Sequence, residues 1–242
     1  MYNYVNYNEE LSEDNKNNLS IIVLAKNEKN NLQKLNLLDE LKKYTNELII
    51  IDGHSTDGTY EYAKQYSDLT FKDNKKGKGE AIRLAGSKIA TKRVLLFIDS
   101  DGSHNPKDIP RLVNPIFKGD FDHITGSRTL GGSDEYFGSF EKFIRVTGSH
   151  LILLMINYRF NVNLTDSQNG FRAIKRDVFN KISLKENITT IEQEMIIKTL
   201  RNGYTIGEVP AHEYQRISGK SKISLLKVSF RYVYSCIKYI FF

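Results

Sequence analysis

Val94 to Ile98 is an uninterrupted apolar run, too short for a helix, and it stops abruptly at Asp99-Ser100-Asp101-Gly102. Such a run predicts a strand covered on both faces of a parallel sheet. Carboxylates at i and i+2 of a strand project to one side. A pair of them at the edge of a buried strand is costly unless a cation lies between them. In open α/β sheets the carboxyl edge is also where ligands bind. Two readings are open at this point. One is a hard divalent cation, Mg2+ or Mn2+, shared with a phosphate-bearing substrate. The other is a solvated turn leading into a helix N-cap.

The neighbouring stretches repeat the pattern. Ser20 to Ala25, SIIVLA, predicts a first buried strand running into Lys26-Asn27-Glu28. A helical pattern follows through Leu32, Leu35, Leu38 and Leu41. Glu47 to Ile51 predicts a second strand, and it ends in Asp52-Gly53 as the later run ends in Asp99. Asp57 is placed to cap a helix reaching about Tyr66. Lys75-Lys76-Gly77-Lys78-Gly79 opens a helix containing Ile82, Ala85 and Ile89. A helix N-terminus beside Lys78 suits an anion, although the loop lacks Walker spacing; a solvated turn is the other reading of its lysines. A helix from Pro106 to about Phe117 and a strand from Phe121 to Thr125 complete an alternation that predicts a doubly wound, parallel sheet.

Beyond Leu130 the texture changes. Gly131-Gly132 marks a loop, and a helical stretch runs from Phe137 to Tyr158 around HLILLMI, whose apolar run is too short to span a bilayer. The segment TDSQNGFR, Thr165 to Arg172, crosses back toward the acidic edge. A helix spans Ile191 to Arg201 with Glu192 and Glu194, and a late edge strand spans Tyr204 to Pro210. In the C-terminal segment Leu226, Phe230, Val233, Ile237 and Ile240 recur at helical spacing, with Lys227, Arg231 and Lys238 mostly on another face. That segment either lies in a membrane interface or packs on the core with its lysines reaching water.

The 242 residues suit one large α/β domain. The expected organisation is a polar tail at 1–18, a catalytic domain at 19–222 and an amphipathic segment at 223–242. A single cysteine, Cys236, excludes a disulfide framework and any multi-cysteine zinc site, and it predicts an intracellular chain. The polar, acidic N-terminus carries no secretory signal. The net charge of +6 hides an asymmetry, because Arg216 to Phe242 holds six basic residues and no acid. Such a segment points to an anionic partner, nucleic acid or a membrane surface. His54, His104 and His123 read as turn or strand-end residues rather than ligands.

Six blocks, SIIVLAKNE, IDGHSTDGT, the Asp-Ser-Asp, GSR, TDSQNGFR and RISGKSK, stand in the order seen in family 2 glycosyltransferases of GT-A fold. More narrowly, the chain resembles the polyprenyl-phosphate branch that includes dolichyl-phosphate mannose synthase and dolichyl-phosphate glucosyltransferase. The resemblance covers roughly Leu19 to Lys227. It implies a GT-A nucleotide-sugar-binding fold, a mostly parallel central sheet flanked by helices, in a single domain closed by a C-terminal amphipathic helix.

The resemblance also implies roles. Ala25, Glu28 and Asp52 match donor-contacting positions, and Lys78 is assigned to the donor with them. Asp99 and Asp101 match the motif that binds ribose, diphosphate and metal, with Mg2+ or Mn2+ as cofactor. Arg128, Arg145, Ser149 and Arg216 match positions around the acceptor phosphate. Asp99, Asp101, Arg128 and Asp166 form the expected catalytic set. A Gln common two residues after the second motif aspartate is Ser103 here, a departure at the position where the resemblance would set a third metal ligand. The implied substrates are a UDP- or GDP-linked sugar and a polyprenyl phosphate. The implied place is the cytoplasmic face of a membrane, reached peripherally or through an anchoring subunit, with no nucleic-acid partner. Two other classes stay open: a family 2 enzyme with a soluble glycan or protein acceptor, and a non-catalytic nucleotide-sugar or nucleic-acid binder.

Overall fold

The computed structural model of the chain describes residues 9–135, 140–215 and 225–241, with backbone alone for 140–145 and 225–229. The three apolar runs become parallel neighbours: β1 (Leu19–Ala25), β2 (Glu47–Asp52) and β4 (Val94–Asp99). Their side chains alternate between the two faces of the sheet, which is why each run is apolar throughout. Ile21, Val23, Ile50, Leu96 and Ile98 enter the core on one face. Ile22, Ile49, Ile51, Leu95 and Phe97 enter the core on the other. The register pairs Ala25 with Asp52 and Leu24 with Asp99, so both acids emerge at one sheet edge, on either side of the end of β1.

Around these strands the chain order is α1 (Glu13–Asn17), α2 (Lys29–Lys34), α3 (Leu37–Lys42), α4 (Thr59–Lys64), β3 (Thr70–Lys72), α5 (Lys78–Leu84) with a π-helical turn over Ala85–Ile89, and α6 (Ile109–Phe117) after a 3-10 turn. Then come β5 (His123–Ser127), α7 (Arg128–Gly131), α8 (Phe140–Phe160), β6 (Arg172–Lys175), α9 (Arg176–Lys181), α10 (Ile191–Arg201), β7 (Ile206–Pro210) and α11 (Leu225–Phe241). Among the described residues one sheet runs β3-β2-β1-β4-β6-β5-β7. It is parallel except for β6, which is antiparallel to both β4 and β5. The late strand β7 is at the edge, as its sequence predicts.

Some expectations shift. The helical pattern from Leu32 to Leu41 breaks at Asn36, whose φ of 49° is left-handed, a conformation Asn tolerates better than most residues. The strand expected from Phe121 starts at His123, because the Asp122 side chain is engaged by Thr205 and Lys175. Strands β3 and β6, three and four residues long, are too short to stand out in the sequence. The described part of the expected tail is docked: Leu11 is buried, and Asn114 Nδ2 donates to Glu9 O at 2.8 Å.

A third core joins α8, α10 and α11 through Ile152, Ile156, Ile196, Ile197, Cys236, Tyr239 and Ile240. Helix α11 therefore packs as a layer on α8 and α10. Of its expected apolar stripe, Ile240 turns inward, whereas Phe230, Val233 and Ile237 face solvent. The side chain of Leu226 lies outside the described residues.

Candidate active site

The loops after β1 and β2 are tied together. Asn27 Oδ1 accepts from Thr56 N–H at 2.8 Å, and Thr59 Oγ1 accepts from Glu28 N–H at 2.9 Å. Asp52 is fully buried; its Oδ2 accepts from Ser55 N–H, while Oδ1 has no hydrogen-bond partner among the described residues. Ala25 is its register partner on β1.

Asp99 is gripped by Lys78, whose Nζ lies 2.9 Å from Oδ1 and 3.1 Å from Oδ2. The same Nζ lies 2.9 Å from Glu192 Oε1 on α10. Burial alone would lower the Lys78 pKa; the two carboxylates outweigh that and raise it. Gly170 packs directly on this pair, since a Cβ there would come 2.9 Å from Asp99 Oδ2 and 3.1 Å from Lys78 Nζ. Glu192 has no role in the sequence reading, yet a signal was present. It shares one helical face with Met195, Ile196 and Thr199, all buried, and an acid at a core position needs a partner. Asp101 is oriented by Ser103, whose hydroxyl donates to Oδ1 at 2.6 Å. His104, read as a turn residue, is buried at the centre of the site and stacks on Phe171 at 5.0 Å. Burial pushes its pKa down, within reach of the charges of Asp99, Asp101, Glu213 and Arg128.

Arg128 opens α7 at the end of β5. Its guanidinium meets the Asp166 carboxylate, and Nη1 lies 3.4 Å from Glu213 Oε1. Burial would raise the Asp166 carboxyl, but Arg128 holds it below the usual range. The Asp166 segment rests on Glu208 of β7, which accepts from Thr165 N–H at 2.7 Å and Asp166 N–H at 2.8 Å. Burial outweighs these donors and pushes Glu208 up to about 7. Ser149 of α8 donates to Gln168 Oε1 at 2.9 Å. It therefore sits against the Asp166 segment, whose carboxylate also accepts from Gln168 N–H. The Arg145 side chain and Arg216 lie outside the described residues.

Five of the nine buried side-chain atoms without a hydrogen-bond partner among the described residues belong to this region: Asp52 Oδ1, His104 Nδ1, Ser167 Oγ, Asn169 Nδ2 and Glu192 Oε2. Buried polar atoms are almost always paired, so these five need partners that the described residues do not supply. No group of three or more His, Cys, Asp or Glu among the described residues would hold a metal alone. The donor set suits Mg2+ or Mn2+, which take one or two carboxylates and complete their shell with phosphate oxygens and water.

The fold is that of the GT-A glycosyltransferases. The crystal structure of glucosyl-3-phosphoglycerate synthase from Mycobacterium tuberculosis, in complex with Mn2+, UDP-glucose and phosphoglyceric acid, matches with a TM-score of 0.71 at 21% identity, over 93% of this chain and 80% of that one. Residues 20–183 match glycosyl transferase family 2, and the chain belongs to that family. It is 30% identical over 191 residues to the undecaprenyl-phosphate mannosyltransferase of Micrococcus luteus, covering 74% of this chain and 76% of that one. It is 28% identical over 187 residues to the glycosyltransferase AglJ of Haloferax volcanii, covering 76% of this chain and 60% of that enzyme. A Methanocaldococcus jannaschii protein described as uncharacterized is 29% identical over 238 residues, covering 93% of this chain and 95% of that one.

Proposed function

We propose that the chain moves a sugar from a UDP- or GDP-linked donor to a polyprenyl phosphate of dolichyl type, inverting the anomeric centre, at the cytoplasmic face of a membrane. One observation carries the acceptor. Helix α8, which touches the Asp166 segment through Ser149, presents Leu151, Leu154, Met155 and Tyr158 to solvent, Tyr158 at 93% exposure. Helix α11 packs on α8 and presents Phe230, Val233, Tyr234, Ile237 and Phe241, with Phe230 75% exposed. Exposed apolar surface on this scale calls for a cover. An apolar helical face with basic residues nearby suits a bilayer interface. No helix among the described residues is long and apolar enough to cross a membrane, so this reading makes the attachment peripheral. The mannosyltransferase relative, whose name carries a prenyl phosphate, supports the same acceptor.

An oxygen of the acceptor phosphate attacks the anomeric carbon as the bond from that carbon to the nucleoside diphosphate breaks, and the bonding pair leaves with the diphosphate. The nucleophile is already an anion, so no proton has to be removed. The work of the protein is positioning and charge neutralisation. Asp52, with Ala25 and Glu28, holds the nucleoside. Lys78 supplies positive charge on the donor side. Mg2+ or Mn2+ held by Asp101, with Asp99 beside it, would stabilise the departing diphosphate. Arg128, oriented by Asp166, and Arg145, Ser149 and Arg216, carried over from the family resemblance, belong to the acceptor side.

The test is turnover of purified protein with a panel of UDP- and GDP-sugars, offered polyprenyl phosphate in vesicles or phosphoglyceric acid in solution. Sugar transfer to the lipid, weakened by Arg145→Ala and Arg216→Ala while donor affinity persists, is the expected result. Transfer to phosphoglyceric acid alone would overturn the lipid acceptor. Transfer to the lipid only when a membrane subunit is added would move the anchor to a partner.

A further inference from the structure

Residues 185–190, KENITT, form a strap between α11 and the glycine loop that opens α5. On the α5 side, Gly79 N–H donates to Asn187 O at 2.8 Å, and Arg83 reaches the Glu186 carbonyl and the Asn187 side chain. The contact leaves no room: a Cβ on Gly77 would come 2.5 Å from Asn187 O, and Gly79 is closed off by Glu186 O. Gly77 also has a φ of 110°, which L side chains rarely adopt. Glycine is thus required on both sides of Lys78 for the strap to seat.

On the α11 side, Tyr239 Oη donates to Glu186 Oε1 at 2.8 Å, and Lys238 Nζ lies 3.3 Å from the same oxygen. Thr190 Oγ1 donates to Glu186 Oε2 at 2.7 Å. The Tyr232 phenol lies within electrostatic reach of Glu192 and Lys78. At its start the strap is tied to α10, where Glu194 accepts the N–H groups of Lys185 and Glu186 at 2.8 Å. Between the two glycines stands Lys78, aimed at Asp99 and Glu192.

We propose that the strap makes α11 a positioning element of the donor site, with Tyr239 acting through Glu186 to fix the loop that sets Lys78 between Asp99 and Glu192. A lysine ammonium on a flexible stem acts as a point charge, so its usefulness to a diphosphate depends on how firmly its backbone is held. Helix α11 also carries the exposed face of Phe230, Val233 and Ile237. The surface that meets the membrane and the contact that seats Lys78 then belong to one rigid element. The functional consequence rests on the donor-site reading above; the mechanical link does not.

The experiment compares the full chain with Tyr239→Phe, which removes the hydroxyl that donates to Glu186 and accepts from Lys238, and keeps the ring packed. Ile240→Val, which trims the same helix's buried face without touching the strap, is the control. Lys78 acetylation by limiting acetic anhydride is followed by mass spectrometry, and UDP and GDP affinity with Mg2+ by calorimetry. Tyr239→Phe is expected to speed Lys78 labelling and to weaken the nucleotide that binds the wild type by about three- to tenfold, the reach of one hydrogen bond. Ile240→Val is expected to lower the melting temperature and change neither. Unchanged Lys78 labelling in Tyr239→Phe, or an equal rise in Ile240→Val, overturns the proposal. Faster labelling in Tyr239→Phe with no nucleotide bound even by the wild type would support the strap and overturn the donor-site reading instead.

Discussion

The Arg128 guanidinium takes the Asp166 carboxylate in a fork, with Nε 2.6 Å from Oδ2 and Nη2 2.9 Å from Oδ1. The fork joins the end of β5 to the segment that leads into β6, and Glu213 approaches the remaining face of the guanidinium. Breaking a buried pair from one side leaves the other charge stranded. Asp166→Ala is therefore expected to cost about 3 kcal/mol of stability and to lower kcat. A double variant with Arg128→Leu should lose less than the sum of the singles, as contacting residues do. Urea unfolding of the four proteins measures this; strict additivity would show that the fork carries no coupling.

Asp101→Asn keeps the size of the side chain and removes its charge. Turnover is expected to fall about a hundredfold or more, on the order of 3 kcal/mol of transition-state stabilisation. The wild type should lose activity in EDTA and regain it with Mg2+ or Mn2+. Undiminished turnover by either route would remove the metal from Asp101.

The exposed faces of α8 and α11 are tested by point changes, because deleting the C-terminal helix would uncover Ile152, Ile156, Ile196 and Ile197. Leu154→Glu and Phe230→Glu each withdraw an apolar side chain worth about 1.5–3 kcal/mol on burial. Each is expected to reduce flotation with anionic liposomes about tenfold or more while leaving nucleotide affinity intact. Flotation equal to the wild type in both would place the membrane contact elsewhere.

Glu208 gives the pH dependence a sign. Its folded pKa of about 7 stands above the ordinary 4.5. Its contribution to stability is therefore fully present below pH 4.5 and is lost as pH rises through 7. The size is on the order of 3 kcal/mol. Asp166, held below its ordinary value, works in the opposite direction and in a lower window, losing its contribution as pH falls below the usual carboxylate range. Glu208→Gln should flatten the stability curve between pH 4.5 and 7. A slope unchanged from the wild type in that window would assign the titration to another group.

The core of the fold was legible because its signals are local. The runs ending at Ala25, Ile51 and Ile98 are apolar on both alternating faces, and only a strand between two helical layers suits that pattern. Asp52, Asp99 and Asp101 follow from it, since a carboxylate at the end of such a strand lies at the sheet edge wherever the helices pack. The helix from Ile191 to Arg201 was legible for the same reason.

Tertiary structure decided the rest. That Lys78 meets Asp99 and Glu192, and that Glu208 lies beneath Thr165, depends on which strands become neighbours. The antiparallel insertion of β6 between β4 and β5 sets that arrangement, and its four residues announce nothing in the sequence. Helix α11 shows the limit most directly. Its apolar residues run far enough around the helix to offer more than one face, so the sequence establishes an amphipathic helix without choosing which side turns inward. Packing against α8 and α10 made the choice, burying Cys236, Tyr239 and Ile240 and leaving Phe230, Val233 and Ile237 in contact with solvent.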